Sequence, residues 1–166
     1  MYARLERWLY RGGRPGRLAR WINRGFAAVH ASGRAPESWV ALEVVGRRSG
    51  RAIVFPLVMV TVGGERFLVS MLGQDAAWVR NVRAAGGHAI LRHGGRDEVR
   101  LEELPVAQRP PVLKAHLQVA PGARPHVPVD KDAPLADFEA IAERFPVFRV
   151  LPAQSRSGAP SGKNAR

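Results

Sequence analysis

From Trp39 onward the chain is built largely from short apolar runs rich in β-branched residues, a composition typical of β-strands. The runs are 39–45, 53–62, 67–72, 88–92, 98–104 and 146–151. Gly63-Gly64 and Gly94-Gly95 separate two pairs of them, and glycine pairs favour tight hairpin turns because glycine adopts positive φ without steric cost. We therefore expect four or five strands, paired as hairpins in a small antiparallel barrel. Side chains fill the interior of so small a barrel, so a ligand has to lie outside it or at a subunit boundary, and we expect a homodimer.

Helical spacing of apolar residues interrupts this β-rich pattern. A first helix is expected after Asp75, which can cap it, with Trp78 and Val82 on its apolar face and Gly86-Gly87 at its end. Two further helices are expected, one after Pro110-Pro111 and one from Pro134, with a Pro-rich loop at 121–134 between them. The pattern as a whole predicts a mainly β fold with helices, of the α+β class.

The positive charge is concentrated at the two ends of the chain. The formal net charge is +12, yet residues 36–152 contain 15 basic and 13 acidic residues and are almost neutral. A domain that binds nucleic acid is expected to present a broad basic face, so we expect no nucleic-acid partner. The sequence divides into a basic helical arm (1–35), a folded domain (36–152) and a basic tail (153–166) whose composition is typical of disorder.

The arm has two interpretations. Aromatic and leucine residues recur at helical spacing within residues 1–30, and Arg17, Arg20 and Arg24 lie between them. Such a helix suits peripheral contact with an anionic membrane surface. It also suits packing against the domain or against a second subunit. We expect a cytoplasmic protein, with the arm as the candidate for attachment to the inner face of the cell membrane.

Composition excludes several classes of chemistry. The 166 residues contain no cysteine, which excludes thiol catalysis, cysteine-ligated metals and disulfide bonds. No apolar run approaches the roughly 18 residues that a membrane-spanning helix needs. The five histidines show no spacing typical of a zinc site, so we expect no bound metal.

A basic turn lies between the first two apolar runs. Its sequence is Gly46-Arg47-Arg48-Ser49-Gly50-Arg51. Guanidinium groups bind phosphate or carboxylate through paired hydrogen bonds, and glycine lets the backbone approach a ligand closely. The turn is therefore a candidate anion site; the alternative is a solvated hairpin turn with incidental charge.

Two motifs resemble the deazaflavin-dependent nitroreductase family. They are this turn, followed by Pro56-Leu57, and the segment Trp78-Val79-Arg80-Asn81-Val82-Arg83-Ala84. The resemblance covers about residues 38–151 and implies a split antiparallel β-barrel of the flavin-reductase type that binds coenzyme F420, an 8-hydroxy-5-deazaflavin. It implies hydride transfer to a small electron-poor acceptor such as a quinone, a nitro compound or an activated alkene. Two alternatives stay open: an oxidoreductase that uses flavin mononucleotide (FMN), and a non-catalytic module that binds a cofactor or lipid on the same barrel.

The resemblance also implies which residues contact the coenzyme. Arg47, Arg48, Ser49 and Gly50 match the family's anion-holding turn, to which we add Arg51; Pro56 and Leu57 match positions along the ring, Ser70 matches a hydroxyl near it, and Trp78 and Asn81 share the helix face turned toward it. Met71 stands where many members have a lysine, and Ile53 where many have a basic residue.

The proton donor of such a reaction is not fixed by these motifs. The family's tyrosines near the substrate have no counterpart, because both tyrosines of this chain lie in the arm. Candidates are Ser70 and the two histidines that flank the Pro-rich segment, His116 and His126. Imidazole has a reference pKa near 6.5, which suits proton transfer near neutral pH.

Overall fold

The structure is a computed structural model that describes residues 36–153, and the expectations for the arm and for the tail beyond Ala153 lie outside these residues. The strands are β1 (Trp39–Val45), β2 (Ala52–Val62), β3 (Glu65–Val69), β4 (His88–Arg92), β5 (Arg96–Glu103) and β6 (Val147–Pro152). The helices are α1 (Ala77–Ala84), α2 (Pro110–Val119) and α3 (Leu135–Ile141), and short 3-10 turns span Val106–Gln108, Pro121–His126 and Ala142–Arg144.

The six strands form a closed antiparallel barrel in the order β1-β2-β3-β6-β5-β4. The expected barrel is confirmed, but the expected four or five strands were too few. The last apolar run supplies the strand that closes the sheet, since β6 pairs with both β3 and β5. The hairpin turn at Gly63-Gly64 is confirmed, with φ of 58° and 82° at the two glycines.

The barrel interior is packed with apolar side chains. Leu42 of β1, Leu68 of β3 and Phe148 of β6 are each no more than 1% exposed and belong to one cluster. Helix α1 adds Trp78 and Val79 to the same cluster, so the helix is anchored on the interior core. The interior is thereby filled, and any ligand has to lie outside it.

A second core lies between the outer face of the sheet and the later helices. Phe67 and Val69 of β3 point away from Leu68, as alternation along a strand requires, and pack with Leu117 of α2 and Phe138 of α3. The segment expected to be a Pro-rich loop begins as a 3-10 turn, Pro121–His126, whose Ala123 joins this outer core. Among residues 36–153 no helix is long and apolar enough to cross a membrane.

Two boundaries differ from expectation. Strand β3 ends at Val69 because the next residue leaves the sheet: the Ser70 hydroxyl donates to the Gly73 carbonyl at 2.8 Å and closes a turn. Helix α1 is not capped by Asp75, since Ala76 occupies its N-cap without a side-chain hydrogen bond. The Asp75 carboxylate pairs instead with Arg80, one turn into the helix.

Candidate anion and coenzyme site

The basic turn is folded by its own backbone. The Gly46 amide donates to the Arg51 carbonyl, and the Gly50 amide donates to the Gly46 carbonyl, both at 2.8 Å. Gly50 has a φ of +64°, a conformation that favours glycine, and the Ser49 hydroxyl accepts from the Arg51 amide at 3.3 Å. The geometry of the turn is therefore set without any ligand.

The three arginines of the turn are all exposed. Among residues 36–153 no carboxylate lies within ion-pair distance of Arg47, Arg48 or Arg51, whereas several other arginines of the domain form ion pairs: Arg80, Arg83, Arg92, Arg96, Arg109 and Arg149. Three clustered guanidinium groups without an acidic neighbour create a local positive potential at a preformed turn. The phosphodiester and glutamate carboxylates of coenzyme F420 fit this donor set.

Asn81 joins the turn to helix α1. Its side chain is buried, and its Oδ1 accepts from the Arg47 backbone amide at 3.3 Å and from Arg47 Nη1 at 3.0 Å. The two motifs that carry the family resemblance, separated by 34 residues in sequence, therefore meet in direct contact.

Other predicted contacts of the coenzyme lie on different sides of the barrel wall. Leu57 packs against the interior cluster, and its neighbour Pro56 points to the opposite face because side chains alternate along β2. Trp78 is buried in the interior cluster, with its ring 5.3 Å from that of Phe148. Pro56 therefore faces the outside of the sheet, whereas Leu57 and Trp78 pack in the barrel interior.

A small open cavity lies beside the loop that precedes α1. Its volume is about 240 Å³, and its lining consists of Met71, Leu72, Gly73, His126, Arg144 and Phe145. Two of the predicted residues, Met71 and His126, thus share one cavity. Ser70 adjoins it in sequence but is 1% exposed, and its hydroxyl is committed to the Gly73 carbonyl.

The structure separates the two histidines that the sequence offered together. His126 lines the cavity, whereas His116 is 4% exposed on the inward face of α2. Burial lowers the pKa of His116 to about 4, so its imidazole carries no proton to donate near neutral pH. The proton-donor expectation for His116 therefore does not fit its environment.

An ion network that no sequence motif indicates lies beside the cavity. Glu103 accepts from Arg83 Nη2 at 2.7 Å and from the buried Arg109 at 3.1 Å, and Arg83 also donates to Gln74 at 2.6 Å. Gln74 in turn donates to the Glu143 carbonyl at 2.6 Å, next to the cavity residue Arg144. In sequence, the adjacent glutamates Glu102 and Glu103 at the end of β5 are typical of solvent-exposed charge. The arginine partners of Glu103 become evident only from the fold.

Comparisons with known proteins give a family for the chain. Residues 16–124 match the family described as F420H(2)-dependent quinone reductase, which is more than half of the 166 residues. The match begins inside the segment assigned to the arm. Among curated proteins no relative matches the chain at a significant level.

Two solved structures are similar to this chain at low sequence identity. One, described as a domain-swapped dimer, is 18% identical, with 78% of this chain and 96% of that chain covered and a TM-score of 0.50. Another, described as F420-H2 dependent reductase (FDR-A), is 23% identical, with 69% and 94% covered and a TM-score of 0.43.

The family match spans both the basic turn and the helix that contacts it. The expected split-barrel fold and the expected family are confirmed. The chain belongs to the F420H2-dependent quinone reductase family and is an oxidoreductase.

Proposed function

We propose that the chain binds reduced coenzyme F420 through the turn 46–51 and passes its hydride to a quinone-type acceptor. The observation that carries the proposal is the preformed turn with three exposed arginines, held against Asn81 of α1. When bound, the deazaflavin ring supplies the hydride, so the protein has to bind, orient and shield it.

In this proposal the turn holds the anionic part of the coenzyme. Charge-assisted hydrogen bonds contribute about 1.5–3 kcal/mol each when solvent is excluded, and less at an exposed turn such as this one. Arg48 and Arg51 have no ion-pair partner among the described residues, which leaves their guanidinium groups available to phosphate or carboxylate.

The cavity beside Met71 is the proposed acceptor side of the site. Met71 and Phe145 offer apolar surface to a flat ring, and His126 and Arg144 bring polar nitrogen atoms that suit a quinone carbonyl oxygen. His126 lines the cavity, whereas His116 is buried, so we propose His126 as the proton donor.

Homodimerisation and membrane contact belong to the proposal as well. The filled barrel interior means that a coenzyme has to be covered from outside, which a second subunit would do, and one solved relative is described as a domain-swapped dimer. The membrane contact rests on residues 1–30 alone, through their amphipathic sequence pattern.

The test is a fluorescence titration of the purified protein with oxidised coenzyme F420, with FMN as competitor. We expect micromolar binding that an Arg48→Ala, Arg51→Ala double variant weakens by about tenfold or more, equivalent to about 1.4 kcal/mol. The matched control is Arg66→Ala with Arg100→Ala, which removes the same charge from strands away from the turn. We expect the control to bind nearly as the wild type does.

Three outcomes would overturn the proposal. Equal losses in the two double variants would mean that overall charge, and not the turn, attracts the coenzyme. Preference for FMN would favour the flavin-dependent alternative, and F420 binding without quinone reduction would favour a non-catalytic module.

A further inference from the structure

Asn81 presents one oxygen atom to two donors of the same residue. Its side chain is only 2% exposed, and Oδ1 lies 3.3 Å from the Arg47 amide nitrogen and 3.0 Å from Arg47 Nη1. Both Arg47 groups are donors, so only the carbonyl end of the Asn81 amide can face them. The contact fixes both the start of the turn and the direction of its first guanidinium group.

The chemistry of the contact suits an anion site. A carboxylate in place of Asn81 would also accept both hydrogen bonds, but it would form an ion pair with Arg47 and cancel part of the positive potential. A neutral amide holds Arg47 and leaves its charge in place. A long side chain that is already fixed loses less conformational freedom when a ligand binds, which strengthens binding.

We propose that Asn81 is a positioning residue for the anion-binding turn and acts on the coenzyme through Arg47. The proposal rests on the proposed function and deepens it. It differs from the direct contact that the family resemblance implies for Asn81, because the Oδ1 atom is already occupied by Arg47 and the side chain is buried.

Two substitutions separate the hydrogen-bonding role from the charge. Asn81→Leu keeps the approximate size and removes the acceptor, whereas Asn81→Asp keeps the acceptor and adds a negative charge. In the ligand-free protein, we expect Asn81→Leu to speed amide hydrogen exchange in residues 46–51, and Asn81→Asp to leave it slow. Thermal unfolding of both variants confirms that each is folded before binding is measured.

Coenzyme binding should then respond in two different ways. We expect each variant to bind oxidised F420 about fivefold to tenfold more weakly than the wild type. Asn81→Leu keeps all three arginine charges, so the dependence of its affinity on salt should match that of the wild type. Asn81→Asp pairs one of these charges, so its salt dependence should be shallower.

A double-mutant cycle with Arg47→Ala identifies the route of the effect. If Asn81 acts on the coenzyme through the Arg47 guanidinium, Asn81→Leu should cost clearly less affinity once Arg47 is alanine, because only the hydrogen bond from the backbone amide of residue 47 then remains to be lost. An equal loss in both backgrounds would mean that Asn81 affects the coenzyme by another route and would overturn the proposal. Unchanged hydrogen exchange in Asn81→Leu would overturn it as well.

The design also separates this inference from the proposed function. If the wild type does not bind F420, the proposed function fails, and the same variants are compared with pyrophosphate as the anion. Pyrophosphate binding that Asn81→Leu weakens would retain Asn81 as a positioning residue for an anion turn. Absence of binding to both ligands would overturn both proposals.

Discussion

At the scale of single residues, His116 shows how the fold changes the chemistry of a side chain. Its neighbours on the same face of α2, Leu113 and Leu117, are buried in the outer core. His116 Nδ1 has no hydrogen-bond partner among the described residues, and burial lowers its pKa to about 4. The folded protein therefore holds a neutral imidazole where water cannot stabilise a charge.

This burial predicts a pH-dependent stability. The unfolded chain protonates His116 near pH 6.5, but the folded chain resists protonation until about pH 4. The free energy of unfolding should thus fall as the pH drops from about 6.5 to 4, by up to about 3 kcal/mol from this residue. Urea unfolding at several pH values measures it, as the difference between the wild type and His116→Leu.

The control for this measurement is His88→Gln, because His88 is exposed on β4. We expect this variant to keep the pH dependence of the wild type. His116→Leu should lose the part that lies between pH 6.5 and 4, and parallel curves for the wild type and His116→Leu would contradict the assignment.

At the scale of elements, the junction between α1 and β4 depends on two adjacent glycines. Both have positive φ, 62° at Gly86 and 84° at Gly87. The Gly87 amide donates to the Val82 carbonyl at 2.9 Å, and the Gly87 carbonyl accepts from the Leu101 amide at 2.8 Å. This junction sets the orientation of α1 relative to β4, and α1 carries Asn81.

The two glycines should differ in their tolerance of a side chain. A Cβ on Gly87 would lie 2.4 Å from the Leu101 carbonyl oxygen, whereas a Cβ on Gly86 would meet nothing within 4 Å. Gly86→Ala therefore adds only backbone strain, about 1–2 kcal/mol. Gly87→Ala adds a clash with β5 backbone, and we expect it to cost at least about 2 kcal/mol more. Paired urea unfolding of the two variants tests the difference, and equal losses would contradict it.

The elements also show what local sequence can predict. Glycine pairs and short apolar runs rich in β-branched residues predicted the strands, because tight turns and strand propensity are local properties. The predicted end of β3 was wrong because Ser70 begins a turn. In that turn the Ser70 hydroxyl donates to the Gly73 carbonyl, and the Ser70 amide donates to the distant Pro146 carbonyl at 2.9 Å. The predicted cap at Asp75 is also wrong, because the Asp75 carboxylate forms an ion pair with Arg80.

At the scale of the whole molecule, the proposed site depends on contacts between distant segments. The resemblance named both Arg47 and Asn81, but their contact across 34 residues follows only from the docking of α1 on the barrel. The cavity residues Arg144 and Phe145 had no sequence signal, since they are brought to Met71 by the return of β6 beside β3. The motifs thus name residues of the proposed site, whereas the contacts between those residues follow only from the fold.

The Glu103 network, which consists of Glu103, Arg83, Arg109 and Gln74, connects β5 with α1, with the start of α2 and with the loop before α1. The Glu103 carboxylate raises the pKa of the Arg83 guanidinium on α1 by hydrogen bonding to it. Burial lowers the pKa of Arg109 at the start of α2. Arg109 also donates to the Leu104 and Ala142 carbonyls, and Arg83 reaches the cavity loop through Gln74. One carboxylate therefore supports the charges that hold both walls of the cavity.

Removal of the Glu103 charge should lower the stability of the protein and also weaken acceptor binding. Glu103→Gln leaves Arg109 buried without a carboxylate partner, and we expect a loss of about 2 kcal/mol in the free energy of unfolding. That is less than the 3–5 kcal/mol of fully buried pairs, because the Glu103 side chain is 26% exposed. The cavity walls should also become less fixed, so the KM for a quinone should rise while the affinity for F420 stays near that of the wild type.

The neighbouring glutamate provides the control. Glu102 is exposed and pairs only with Arg149 and not with the cavity network, among the contacts that the structure describes. Glu102→Gln should therefore cost less than about 0.5 kcal/mol and leave the KM for the quinone unchanged. If Glu103→Gln lowered stability without raising that KM, the network would be purely structural and the cavity would not be where the acceptor binds. If Glu103→Gln weakened F420 binding instead, the network would support the coenzyme site as well as the acceptor site. Arg83 would then transmit the effect to the basic turn through α1.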